Sequence, residues 1–437
     1  MAVILIEIAG CAEAAQQPSV PNPKFAVPLG PTQSEFRIRK HTGNFIDSSV
    51  VSDLKFATEP AIKNDANFKS ATLAGAVTQR GLGMADKRIV VVGAGAIGGY
   101  TGWHLAHNGF DVTLIDPWPE HIEAIRRDGL AIEGVSEAEF VRARPKTLHL
   151  TEVQQLAKER PIDIAFISMK SYDTEWATLM LRQYLAPSGY VVSLQNCINE
   201  ERIAAIVGWG RTVGAIAAIL SAELYEAGKI RRTGAKNPPG HEVYRVGEVH
   251  GRMTKRIAEL GEMIRTVDTC KVTDNLWGER WSKLCVNGMH NGVSAASGLS
   301  GNAMRHDERI RRVIIKLGGE GVRVGQALGY RLEDIAGQDA EKLARASEGD
   351  RAALDEVESL MLALRNSQQR SEHQRPSMGQ DMQKGRRTEI DFINGVIAEK
   401  GREIGLATPT HEKLIAAVKK VELGQAPASP DHLYAIV

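Results

Sequence analysis

Arg88-Ile-Val-Val-Val-Gly93-Ala-Gly95-Ala96-Ile97-Gly98-Gly99 leads through a helical stretch ending near Asn108 into Phe110-Asp-Val-Thr-Leu-Ile-Asp116. The β-branched run before Gly93 has no polar alternation, the mark of a strand buried on both faces of a parallel sheet. Strand, G-x-G-x-x-G, helix, strand and acid follow one another in under 30 residues. Gly93 permits the tight turn, Gly95 lets backbone approach a pyrophosphate, and Gly98 lets the helix pack on the strand. The helix N-terminus offers free N–H groups and a partial positive charge to phosphates. The loop Gly93, Gly95, Ala96, Ile97 and Gly98 is therefore expected to bind a dinucleotide. Asp116 lies 18 residues after Gly98, where an acid accepts hydrogen bonds from the adenosine ribose. A carboxylate there repels a 2′-phosphate, so Asp116 by itself favours NAD over NADP.

Working outward, Ile162-Asp-Ile-Ala-Phe-Ile-Ser-Met-Lys170 and Gly189-Tyr-Val-Val-Ser-Leu-Gln195-Asn196 read as further strands ending in polar residues, and Thr212–Ile219 as another. Ligands of open parallel sheets sit beyond the carboxyl ends of the strands. Gly93, Asp116, Lys170 and Asn196 are thus expected on one rim.

After about Val272 the pattern changes to helical periodicity. Asp274 to Asn291 reads as a helix whose apolar face includes Leu276, Trp277, Trp281, Leu284 and Cys285. Lys283, Asn287 and Asn291 are spaced i, i+4, i+8 and form one polar ridge. The spacing fits one wall of a substrate cleft and fits a solvated ridge equally well. Helices are expected over Arg305–Leu328, Asp339–Gln369, a stretch from Ser377 to Ile404, and Glu412–Leu423, with a tail after Gln425. The domain division read from these patterns is 84–272 for the nucleotide-binding half, 273–424 for the helical half and 425–437 for the tail.

The leading segment, 1–83, has scattered Pro, Ser, Thr and Asn without sustained period and reads as loop or disorder. Met84 opens the strand pattern abruptly, so 1–83 is either an over-extended reading frame or a flexible extension. Ile8-Ala-Gly-Cys11 looks like a lipoprotein cleavage site, but the first basic residue is Lys24 and Glu7 interrupts the short apolar run, which argues against export.

Composition bounds the rest. Lys+Arg is 54 against Asp+Glu 53, a net charge of +1, so no global field draws the chain to nucleic acid or an anionic membrane. No apolar run reaches the ~18 residues of a membrane span. The four cysteines, Cys11, Cys197, Cys270 and Cys285, form no C-x-x-C pair and have no His at zinc-ligand spacing. No metal is expected, and reduced structural thiols suit a cytoplasmic protein.

Together these motifs resemble the ketopantoate reductase (2-dehydropantoate 2-reductase) family. The resemblance rests on Gly93-Ala-Gly-Ala-Ile-Gly98, Lys170-Ser-Tyr-Asp-Thr174, Gln195-Asn196, Trp281-x-Lys283-x-x-x-Asn287-x-x-x-Asn291, and Ser377-Met-x-Gln-Asp381 with Arg387-Thr-Glu389-Ile-Asp-x-Ile-Asn-Gly395, and it covers about 87 to 423. It implies an α/β fold class: an N-terminal Rossmann doubly wound parallel sheet, then an all-α domain like the C-terminal domain of 6-phosphogluconate dehydrogenase. It also implies an oxidoreductase acting on CH–OH with NAD(P), reducing a 2-keto acid, foremost ketopantoate to pantoate for coenzyme A synthesis. Lys283 matches the catalytic proton donor, Asn287 and Asn291 substrate-binding asparagines, and Ser377 a holder of the substrate carboxylate. Glu389 matches the acid that binds the substrate hydroxyl and communicates with the lysine, and is expected beside Lys283. Asn196 matches a residue at the nicotinamide ribose, and Lys170 a lysine of the cofactor cleft. The resemblance favours NADP, whereas Asp116 favours NAD. It allows a homodimer.

The chain departs from that pattern in three places. Cys197 stands where the family usually has Gly, Asp116 replaces a basic or neutral residue, and Glu333–Arg375 is longer, as an addition at the cleft lid or dimer contact. Two further readings therefore stand beside ketopantoate reduction: an NAD-dependent D-2-hydroxyacid dehydrogenase for another branched or aromatic acid, and a nucleotide sensor without turnover.

Overall fold

In a computed structural model of the protein, residues 86–367 and 375–436 are described. The expectations for 1–83, Met84 and Cys11 lie outside them.

The first half runs β1 (Arg88–Val92), α1 (Ala96–His107), β2 (Asp111–Asp116), α2 (Pro119–Asp128), β3 (Leu130–Glu133), β4 (Val141–Ala143), β5 (Lys146–His149), β6 (Ile162–Ile167), α3 (Thr174–Arg182), β7 (Leu185–Ser193), α4 (Glu200–Val207), β8 (Thr212–Ala217), β9 (Ala222–Glu226), β10 (Lys229–Arg232), β11 (Tyr244–Glu248), α5 (Lys255–Arg265) and β12 (Cys270–Thr273). Eight strands make one sheet in the order β12-β11-β8-β7-β6-β1-β2-β5. Every neighbouring pair is parallel except β8 with β11. β1 is buried along its whole length. Ile89 and Val91 enter the core on one face, Val90 and Val92 the core on the other. That is what an unbroken β-branched run requires. The chain passes from β1 to β2 on one side and later to β6 on the other, so the strand order reverses at β1 and opens a crevice at its carboxyl end. A second sheet, β4-β3-β10-β9, has no counterpart in the sequence reading.

The second half is α6 (Leu276–Ser297), α7 (Gly301–His306), α8 (Glu308–Ala327), α9 (Ala340–Ser347), α10 (Arg351–Ser367), α11 (Ser377–Gln383), α12 (Ile390–Glu403), α13 (Pro409–Glu422) and α14 (Asp431–Tyr434). α6 is the central helix; α8, α11, α12, α13 and α14 pack around it. Two expected long helices are divided by caps. Asp307 accepts from Ile310 N at 3.1 Å and starts α8, and Asp350 accepts from Ala353 N at 3.1 Å after Gly349 turns the chain at φ +103°. The last long helix starts earlier than expected, because Glu320 accepts from Thr410 N at 3.0 Å and His411 N at 3.2 Å and so caps α13.

Two expectations need correction. Residues 425–436 are a docked segment rather than a tail: Leu433 is fully buried, Ser429 N donates to Ala296 O at 2.9 Å, and Lys413 Nζ donates to Ile436 O at 2.9 Å. The 333–375 segment is not solely an addition at a lid. Leu343 of α9 and Val357 of α10 are fully buried in the helical core, which makes its described part a layer of that core. Cys197, Cys270 and Cys285 are buried free thiols, as expected. Among the described residues, no group of acids, His and Cys could hold a metal, and no helix is long and apolar enough to cross a membrane.

The fold carries a pH dependence. Burial pushes His104 of α1 down to about 3, helped by Lys236 and Arg232, and pushes His411 of α13 down to about 4 against a bond to Leu317 O. Both folded values lie below the ~6.5 of a free imidazole. Below that pH the unfolded chain takes up protons the folded one refuses, so stability is present above about 6.5 and is lost on acidification. At ~1.4 kcal/mol per unit each imidazole contributes a few kcal/mol by pH 4. Calorimetry from pH 7.5 to 4.5 should show a steadily falling Tm; an unchanged Tm over that range contradicts the assignment.

Candidate active site

The glycine loop has the geometry its spacing implies. Gly93 sits at φ +97°, and a Cβ there would lie 2.7 Å from the Ser168 carbonyl carbon. A Cβ on Gly98 would lie 2.0 Å from Gly93 O and 2.6 Å from Ser168 Cβ, so α1 touches the sheet only without one. A Cβ on Gly95, in contrast, would meet no atom within 4 Å; the space above it is open. Gly95 caps α1 with no side-chain hydrogen bond, and no acid stands in the first turn. These uncapped N–H groups, with half-buried Ala96 and Ile97 beside them, fit a pyrophosphate. Gly98→Ala is expected to weaken dinucleotide binding more than about 30-fold, since the clash is with backbone that cannot yield. Fluorescence titration with NADH and NADPH measures it, and wild-type affinity would rule the packing argument out.

Asp116 ends β2 as expected, but its carboxylate is already engaged. Oδ2 accepts from Ala94 N at 2.8 Å and Oδ1 from Trp118 N at 2.9 Å, with the residue 8% exposed. Burial raises its pKa, opposed by those two N–H groups and His121. Asp116 is thus first an anchor of the glycine loop. His121 supports it, meeting Ala94 O at 2.9 Å through Nε2 and accepting from Gly228 N at 2.9 Å.

On the other side of β1, the β6–α3 loop brings Lys170 against the helical half. Its ammonium lies 2.5 Å from Asp381 Oδ2 and 3.4 Å from Glu389 Oε2. Burial pulls the Lys170 pKa down, and Glu389 and Asp381 more than offset it, so the net shift is upward and the lysine is charged. Burial raises Asp381 in spite of Lys170. Glu389, 3% exposed, accepts from Ser171 N at 2.9 Å and Ser171 Oγ at 2.8 Å. The carboxylate's hydrogen bonds run to Ser171 and Lys170, because a buried carboxylate at the start of α12 takes the donors of the loop packed on it.

The α6 ridge is not solvated. Lys283 Nζ donates to Ala218 O at 2.7 Å, Asn287 Nδ2 to Asn196 Oδ1 at 3.2 Å, and Asn291 Nδ2 to Ser377 Oγ at 3.1 Å. Lys283 and Asn287 thereby face the carboxyl ends of β8 and β7, while Asn291 meets the first residue of α11. Asn199 joins the rim to the acid cluster, donating to Asn196 O at 2.8 Å and Ser171 Oγ at 3.1 Å. Sequence reasoning missed Ser171, Asn199 and Asp381 as site residues. Ser171 and Asp381 lie inside motifs it had picked out; nothing local marks Asn199.

Cys197 follows Asn196 with φ +68°, the left-handed region, and its side chain is buried in the helical-half core. Burial, with Glu389 adding to it, raises its thiol well above the ordinary range, so it is no thiolate nucleophile. The usual stability order of Ala over Gly should reverse at this position. Cys197→Gly is expected to unfold at higher denaturant than Cys197→Ala, by about 1 kcal/mol, because Ala keeps the left-handed strain. Ala remaining the more stable would contradict that strain.

The site has a glycine-loop crevice on one side and a Lys-Asn-Asn ridge on the other. The family model "Ketopantoate reductase PanE/ApbA" matches residues 89–238, and "Ketopantoate reductase PanE/ApbA C terminal" matches 275–422. The chain belongs to the ketopantoate reductase family. Among relatives, the 2-dehydropantoate 2-reductase of Archaeoglobus fulgidus is 26% identical over 78% of this chain and all of its own length. That of Pyrococcus horikoshii is 27% identical over 77% and 97%. The crystal structure of the PanE/ApbA family ketopantoate reductase from Ralstonia eutropha superposes with a TM-score of 0.62 at 25% identity, covering 77% of this chain and 99% of that one. D-mandelate dehydrogenase with NADH and anilino(oxo)acetate shares the fold, with a TM-score of 0.63 at 22% identity, covering 77% and 98%. The Rossmann-like half followed by a mostly helical half is the architecture of the family.

Proposed function

We propose that this chain is an NAD(P)H-dependent reductase of 2-keto acids, with ketopantoate as substrate and pantoate as product. The observation that carries it is the ridge of Lys283, Asn287 and Asn291, turned from solvent towards Asn196, Ser377 and the strand ends. The nicotinamide, when bound, supplies the hydride. Gly95 leaves room for its pyrophosphate while Gly93 and Gly98 shape the turn and the helix packing, and Asn196 and Lys170 flank the crevice. As a keto oxygen gains charge, Lys283 stabilises it and delivers the proton; a lysine with a free pKa of ~10.4 begins as an acid at neutral pH. Asn287 and Asn291 orient the substrate's polar groups without adding charge. Ser377 is the contact for the substrate carboxylate, and Glu389 for its hydroxyl.

The second reading, an NAD-dependent D-2-hydroxyacid dehydrogenase for a branched or aromatic acid, draws on Asp116. A carboxylate at the end of β2 disfavours a 2′-phosphate, although its oxygens also hold the glycine loop. NADH and NADPH assayed against a panel of 2-keto acids decide. Ketopantoate leading by orders of magnitude supports the first reading, another acid leading with NADH supports the second, and no turnover with any pair overturns both. A homodimer is proposed alongside, to be tested by light scattering.

A further inference from the structure

We infer that Arg280 is a positioning residue that fixes the cofactor-side loop holding Asn196 to the helix holding Lys283, and so sets the distance over which hydride and proton reach one carbonyl group. This rests on the roles proposed above for Lys283 and Asn196.

Arg280 lies one turn before Lys283 on α6 and is 2% exposed. Its guanidinium leaves the helical half and spends its donors on the carboxyl rim of the sheet. Nη1 donates to Gln195 O at 2.6 Å; Nη2 donates to Ser193 O at 2.8 Å, Ser193 Oγ at 3.2 Å and Ala215 O at 3.1 Å. Nε donates to Glu200 Oε1 at 2.7 Å. One side chain therefore ties α6 to the ends of β7 and β8 and to α4. Asn196 is the next residue after Gln195. Gln195 in turn donates through Nε2 to Met169 O and Thr174 Oγ1, both at 2.9 Å, extending the tie to the Lys170 loop.

Stability alone is a poor account of this group. A buried ion pair gives little net stability over an apolar pair of similar volume, because desolvation cancels the attraction. What a fork with five N–H donors supplies, and an apolar chain does not, is a fixed direction at each carbonyl. Glu200, itself fully buried, cancels the charge, so the arrangement orients without placing net charge next to the reacting carbonyl. A shift of about 1 Å between reacting groups costs on the order of a hundredfold in rate.

The test uses Arg280→Met, Arg280→Lys and the double variant Arg280→Met with Glu200→Gln in the full chain. Arg280→Met should lower kcat about 30- to 100-fold with cofactor Kd and substrate KM changed less than about threefold, and should raise the primary isotope effect from 4-deuterated cofactor. Arg280→Lys should recover part of kcat. The double variant, which leaves no lone buried charge, should recover stability but not kcat. Kcat returning together with stability would make Arg280 merely structural and overturn the inference. A second measurement does not need turnover. Amide exchange across 194–199 should quicken at least about tenfold in Arg280→Met, while protection in α8 holds. Unchanged exchange there overturns the inference too. A wild-type chain that reduces no 2-keto acid would remove the proposed function, and the exchange result would still judge Arg280.

Discussion

Lys283→Ala should lower kcat/KM for the preferred 2-keto acid by about 10³-fold, within the 10²–10⁴ range of a positioned proton donor, with the loss in kcat rather than in cofactor binding. The reason is where the lysine stands. Its Nζ reaches Ala218 O just past the end of β8, and Asn287, one turn on, reaches Asn196 just past the end of β7. The ammonium is therefore held at the rim where a dinucleotide lies in an open parallel sheet, not on a free surface. No group next to it on the ridge replaces its charge, since Asn287 and Asn291 are neutral. Stopped-flow and steady-state kinetics with NADH and NADPH measure the loss, and fluorescence titration checks that Kd for the cofactor holds within about threefold. A variant retaining a tenth of wild-type turnover would remove Lys283 from the proton-donor role.

Glu389→Gln should cost both stability and activity. The carboxylate is nearly inaccessible and answers three donors: Ser171 N, Ser171 Oγ and the Lys170 ammonium. An amide keeps an acceptor for Ser171 but turns an NH2 towards Lys170. Breaking a buried ion pair costs about 3–5 kcal/mol when one charge is left alone. Here Asp381 remains at 2.5 Å, so the expected loss is smaller, about 2 kcal/mol. Tm should fall by several degrees and kcat/KM by about a hundredfold, with Lys170 titrating lower because one of the two carboxylates that raise it is gone. A variant that melts early but turns over as wild type would show that the Lys170–Asp381–Glu389 cluster joins the two halves without serving the reaction, and wild-type melting would contradict the stability argument.

Local pattern determined a great deal. The unbroken run before Gly93, the glycine spacing and the acid at the end of the next strand specify a dinucleotide crevice, because each needs only neighbours within one strand–turn–helix unit. The i, i+4, i+8 ridge was legible for the same reason: helical periodicity puts Lys283, Asn287 and Asn291 on one face whatever surrounds them. Which way that face turned was not legible, and spacing alone fitted water as well as a cleft. Helix ends were misjudged where a cap came from elsewhere in the chain, as Glu320 does for α13.

Tertiary structure decided the partners. Ser171 and Glu389 meet across 218 residues, and Arg280 and Gln195 across 85. Asp116 spends both oxygens on backbone N–H groups, so its cofactor preference cannot be read from residue type alone. Such pairings leave no period in the sequence. They follow from the need of each buried charge and each strand-end carbonyl for a partner, and that need is met only after the two halves have packed together.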